Sequence, residues 1–200
     1  MAGAMDIMIS NYDEIVGDIK DIKNKSKKVV ERTVSDFKSR GPGWVSQEVV
    51  KEYNIKKKEI NEAKKGVKNA GTIKVHGTKI SDLSIVYEGR LLTPTHFGMT
   101  PKARPQSGKS YVVQAKIKKS TGKKALGSKV FLAQSGNAGT IQIPFQRKGD
   151  DRLPINSIKT VSVPQMITND VVAKNIHKRI NDELGKRLEH HLKQMQNKQK

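Results

Sequence analysis

Apolar residues change their spacing twice along this chain, and that double switch constrains the fold more than any other feature. They recur at helical spacing over residues 12–39, at a period of two from Gly71, and at helical spacing again from Ser162. A period near 3.6 lays one stripe of a helix on a core, whereas a period of two lays alternate residues of a strand on one face. Consecutive strands without intervening helices pair antiparallel. The pattern therefore predicts an α+β fold: an antiparallel sheet flanked by a long N-terminal helix and a C-terminal helix. The regions are 6–70 (helical), 71–161 (basic, β) and 162–200 (helical), in one domain overall.

In the first region Ile15, Ile19, Ile22, Val29, Val30, Val34 and Phe37 form the stripe, with Ser26 and Thr33 interrupting it. Asn11 and Glu14 have capping-box spacing. Gly41-Pro42-Gly43 is expected to stop this helix. Trp44–Ala63 then reads as two short helices around a turn at Tyr53-Asn54-Ile55. A helical pair closing a core accounts for them better than a helix-turn-helix, because the second segment is too short for a recognition helix. Met1–Met5 resembles an expression scar and is set aside, and Met1–Asp6 shows no signal-peptide pattern.

The expected strands are Thr72–Val75, Leu83–Leu92, Ser110–Lys118, Lys129–Gln134 and Thr140–Gln146, with a hairpin tip at Ser120–Lys124. Ser162 and Gln165 have capping-box spacing, and Pro164 suits a first helical turn. Val172, Ile176, Ile180, Leu184, Leu188 and Leu192 follow at strict intervals of four. Each such step drifts by about 40°, so the stripe turns through roughly 200°. The helix must bend around its core, or Leu188 and Leu192 must meet another subunit.

Composition narrows the chemistry. No cysteine is present among the 200 residues, so disulfides, thiolate nucleophiles and cysteine-based zinc sites are excluded. Hydrophobic content is 34% and aromatic content 4%, a modest core that partner contacts would complement. No apolar run has the length of a membrane span. The net charge of +20 is uneven: residues 71–130 hold 12 Lys/Arg against 2 Asp/Glu. Such a surface favours phosphate or acidic protein. Lys116, Lys118, Lys119, Lys123 and Lys124 cluster at the expected hairpin, where they either contact DNA or an acidic partner, or keep the chain soluble and blunt edge pairing.

Candidate catalytic sets fail on spacing. Ser107-Gly-Lys-Ser110 lacks the upstream glycine and following helix of a phosphate-binding loop. His76, His96, His177, His190 and His191 include no pair four residues apart, as a helical zinc site would use. Asp150-Asp151 reads as a turn pair. Tyr87, Phe97, Tyr111 and Phe131 are placed by alternation in the core, so nucleic-acid contact would be electrostatic and not base-reading. No catalytic set, cofactor or metal is expected.

Ile143-Pro-Phe-Gln-Arg-Lys-Gly-Asp-Asp-Arg-Leu-Pro-Ile155 and Val161-Ser-Val-Pro-Gln-Met-Ile167 resemble the bacteriophage minor tail protein Z family. The likeness is in words at Arg152–Ile155 and Ser162–Met166, and only in the order of elements before residue 129. Residues 99–128 are the stretch expected to depart from the family's usual length. The resemblance implies a structural virion protein of a tailed phage. It would be made in the bacterial host cytoplasm and act in tail completion near the head–tail junction. Its implied partners are other tail or neck proteins; the drifting stripe and low aromatic content add a homo-oligomer or ring on assembly, and the basic middle is expected to be divided between acidic faces of neighbours, non-specific duplex DNA and mobile loops. A sequence-independent nucleic-acid-binding protein is the alternative. Pro154 and Pro164 bracket a segment that cannot be ordinary helix. Arg152, Leu153, Pro154 and Ile155 thus form either a partner-docking segment or a rigid connector from the last strand to the last helix.

Overall fold

The structure, a computed structural model, describes residues 3–6, 25–62, 71–106, 110–134 and 141–197. Helix α1 spans Lys25–Glu52 and carries Pro42 inside it. The expected stop at Gly41-Pro42-Gly43 is therefore corrected. One helix joins the end of the predicted N-terminal helix to the first of the two short ones. Proline removes a backbone donor and crowds the preceding turn, but here packing outweighs that local cost. Val34 and Phe37 before the interruption, and Trp44, Val45 and Val49 after it, are all buried in one core. The Phe37 and Trp44 rings lie 6.4 Å apart across it. Glycine fits at position 41 because a Cβ there would stand 2.9 Å from Cδ1 of Ile85. Thr33, an interruption in the stripe, is buried and donates its hydroxyl to the Val29 carbonyl at 2.9 Å, so its polarity is satisfied within the helix. The expected helix over residues 12–24 and its Asn11 cap lie outside the described residues.

The turn at Tyr53–Ile55 is present. It leads to α2 (Lys57–Asn61), which buries Ile60. The turn also ties the helices to the β region: Asn54 N–H donates to the Ile117 carbonyl at 2.8 Å, and Lys119 N–H to that of Glu52 at 2.7 Å.

Among the described residues all strand pairing is antiparallel, but the strands form three small sheets in place of one. The first contains β1 (Gly3–Asp6), β2 (Thr72–His76) and β3 (Ser84–Glu88), in the order β1-β3-β2. The segment set aside as a scar thus supplies an edge strand, with Gly3 opposite Tyr87 and Asp6 opposite Ser84. The second pairs β4 (Gln114–Ala115) with β5 (Lys124–Ala125). The third orders β6 (Val130–Gln134), β7 (Gln142–Arg147) and β8 (Ile155–Ser157) sequentially.

The long strand expected over Ser110–Lys118 shrinks to Gln114–Ala115 because its backbone serves several neighbours. Gln114 exchanges both bonds with Thr100 at 2.8 Å, Val113 accepts from Leu126, Lys116 donates to Phe97, and Ile117 accepts from Asn54. The inward parity survives: Val113 and Ala115 are buried. Val113 joins Met99, Val130 and Leu132 in a second, smaller core.

At the C-terminal end the predicted capping box is present. Gln165 N–H donates to Ser162 Oγ at 3.3 Å, and Ser162 N–H donates to Gln165 Oε1 at 2.9 Å. The single helix expected from Ser162 is divided into α3 (Val163–Ile167) and α4 (Asp170–Asn197). Helix α4 runs antiparallel to α1, since Asp36 pairs with His191 and Glu48 with Arg179, twelve residues apart on each helix. That pairing answers the drifting stripe. Val172, Ile176, Ile180, Leu184 and Leu188 are all buried, and Leu192 is half-buried against the same core. Helix α1 covers the distal half, so Leu188 is buried within the chain and the contact expected of it is corrected, whereas Leu192 is only half-buried. No helix among the described residues is long and apolar enough to cross a membrane.

Candidate docking interface

The Arg-Leu-Pro-Ile motif forms the end of a hairpin loop, not the start of a connector. Its final residue opens β8, a strand absent from the sequence expectation, and Ile155 pairs with Arg147. Lys148 N–H donates to the Pro154 carbonyl at 3.1 Å, closing the loop base. Arg152, Leu153 and Pro154 are exposed, with Leu153 at 67%, while Ile155 is half-buried. The Leu153–Pro154 peptide bond is cis. Leu153 thus presents an apolar side chain to solvent on a loop whose two ends are paired strands.

Pro164 belongs elsewhere. It is buried in the first turn of α3, and a Cβ on Gly89 would touch its Cδ at 3.5 Å. Leu188 lies deep in the helical core. Of the expected docking residues, then, only Arg152–Ile155 form one surface.

Strand parity extends that surface. Val130, Leu132 and Pro144 face inward and are buried. The opposite face carries Phe131 against Phe145, Ala133 against Ile143 and Arg147 against Ile155. Phe131, Ile143, Phe145 and Ile155 are half-buried and, among the described residues, belong to neither core, and Ile141, on the same parity, is 61% exposed. The two phenylalanine rings stack with centroids 6.2 Å apart, and the Arg147 guanidinium lies 5.6 Å from the Phe131 centroid. A groove of about 540 Å³ adjoins them, lined in part by Arg104, Tyr111, Lys129, Phe131, Arg147 and Asp150. Lys129 holds Asp150 at 2.6 Å. Tyr111 marks the groove wall, accepting the Leu132 N–H on its hydroxyl at 3.0 Å.

The expectation that all four central aromatics pack inward thus holds for Tyr87 and Phe97, which are buried, and is corrected for Phe131. Its odd-numbered parity with Ala133, opposite the buried Val130 and Leu132, was the available signal. It was obscured because the inward face of β7 contributes Pro144 and two glutamines in place of a clear apolar alternation.

The five lysines divide. Lys118 is spent internally, 3.6 Å from a Glu52 carboxylate oxygen and 5.7 Å from the Tyr53 ring centroid. Lys123 donates to Thr100 Oγ1 at 2.7 Å. Lys116 is half-buried, while Lys119 and Lys124 are exposed. Among the described residues no carboxylate lies within ion-pair distance of Lys116, Lys119, Lys123 or Lys124.

Other polar groups serve the frame. Asp82 accepts from the Thr78 and Lys79 amides at 2.9 and 2.7 Å, and the Lys79 bond leads in holding its carboxyl below the usual carboxylate range. The Thr72 hydroxyl, then the Lys74 ammonium, lower Glu88. Burial pushes the Tyr87 phenol well above its ordinary value. His96 meets Glu59 at 2.6 Å. Among the described residues no three His, Cys, Asp or Glu side chains are grouped to hold a metal. Residues 107–109 of the Ser-Gly-Lys-Ser segment lie outside the described residues. No family model, no curated protein and no solved structure matches the chain.

Proposed function

We propose that the chain is a structural virion protein of a tailed bacteriophage, a tail-completion component that docks onto tail or neck proteins near the head–tail junction. The single observation that carries this reading is the display of Arg152-Leu153-Pro154 on an exposed hairpin loop, with Leu153 at 67% exposure. The same residues carry the resemblance to the minor tail protein Z family. A structural element of a particle needs rigid surface for neighbours more than a recessed chemical site. In the virion the copies form a homo-oligomer or ring, and the protein is neither an enzyme nor a cofactor carrier.

A second reading, a sequence-independent nucleic-acid-binding protein, draws on the exposed Lys119 and Lys124. Phosphate contacts would give it a steep salt dependence.

Labelling the protein in virions and imaging the particles tests the proposal. The label is expected at the tail end joining the head. Its absence from assembled tails, together with tight salt-sensitive binding of duplex DNA by the free chain, would overturn the tail reading.

A further inference from the structure

From the outer face of the β6-β7-β8 sheet we infer a docking surface for an acidic-rimmed, apolar segment of a different protein. This rests on the proposed docking role of the adjacent Arg152–Ile155 loop. A three-stranded sheet needs only one packed face to fold, and Val130, Leu132 and Pro144 supply it here. The other face nevertheless carries Phe131, Ile143, Phe145 and Ile155, half-buried and outside both cores of the described residues, where solvent exposure alone would favour polar residues. Exposed Leu153 and Ile141 continue the apolar strip at its margins.

Charge selects the occupant. Between residues 129 and 159 the chain holds five Lys/Arg against two Asp/Glu, and Asp150 is already held by Lys129. Arg147 stands on the face itself, against the Phe131 ring. A second copy seated here about a twofold axis would oppose like charge on a chain of net charge +20. A single-stranded nucleic acid would use the stacked phenylalanines, but the aliphatic Ile143, Ile155 and Leu153 offer it no stacking partner. Apolar side chains flanked by carboxylates match both the strip and its rim.

The test uses the full chain and a synthetic peptide alternating Glu with Leu. Controls are a Lys–Leu peptide, a Glu–Ser peptide and oligo-dT. The Glu–Leu peptide is expected to bind. Phe145→Asp and Arg147→Glu are each expected to weaken it at least about tenfold, as central interface residues do. Leu153→Asp, on an exposed loop, is expected to weaken binding while leaving the unfolding midpoint unchanged. It carries the test if a sheet variant fails to fold.

Four results would each overturn the inference: equal binding of the Lys–Leu peptide, equal binding of the Glu–Ser peptide, loss of oligo-dT binding in Phe145→Asp, or a dimer abolished by Phe145→Asp. A chain that binds the peptide but is absent from virions defeats the tail reading alone. A chain found in virions whose variants bind the peptide like the parent defeats this inference alone.

Discussion

Glu48 shows how one residue records a tertiary contact that local sequence hides. Its side chain is 4% exposed and receives Arg179 at 3.0 Å and Lys51 at 2.7 Å. Nothing in residues 44–52 foretells a partner on the last helix. Glu48→Ala strands a partly buried guanidinium, and since Arg179 still reaches solvent the expected loss is about 1–3 kcal/mol in urea unfolding. The double variant with Arg179→Ala is expected to lose less than the sum of the singles. Asp82 makes a pH-dependent prediction. It braces the turn after Gly77, whose φ of 114° suits glycine. Its folded pKa lies below the ordinary aspartate value, so its contribution is present above that value and fades as pH falls through the folded pKa. Asp82→Asn is therefore expected to unfold at lower urea than the parent at neutral pH, with the gap closing under strong acid. A gap that widens on acidification would contradict this.

At the scale of elements, period and parity were legible while boundaries and partners were not. The α+β class, the antiparallel pairing, the Ser162–Gln165 cap and the inward positions Val113 and Ala115 all follow from local pattern. Pro42 misled because its cost is local, whereas the compensation comes from Trp44, Val45 and Val49 burying against distant elements. The apolar stripe of α4 is plain in the sequence, but a sequence does not show that α1 lies antiparallel and covers its drift. This predicts a sharp contrast along one helix. Leu184→Ala, at 1% exposure, is expected to lose about 2–5 kcal/mol in denaturant unfolding. Val171→Ala, at 61% exposure, is expected to change stability by less than about 0.5 kcal/mol. The candidate interface was legible in part: Arg152–Ile155 stood out as words, but the outer face of β6-β7-β8 needed strand register to assemble it.

For the whole molecule, the helical pair and the first sheet share one core, while the β6-β7-β8 end carries half-buried apolar residues and more Lys/Arg than Asp/Glu. That polarity supports the proposed docking of a neighbour at one end. It also separates docking from the general effect of a +20 charge. Changing Lys119, Lys123 and Lys124 together to Gln removes exposed charge without touching the loop. That variant is expected to enter particles normally unless the lysines themselves meet DNA or an acidic neighbour, in which case DNA delivery falls with a changed salt dependence. The most direct measurement is incorporation of the Leu153→Asp chain into tails, by complementing phage that lack the protein and quantifying it in purified particles. The expected result is a folded chain with an unchanged unfolding midpoint that is depleted from tails and leaves heads and tails unjoined. Normal incorporation of that variant, with infectious particles at the parental yield, would contradict it.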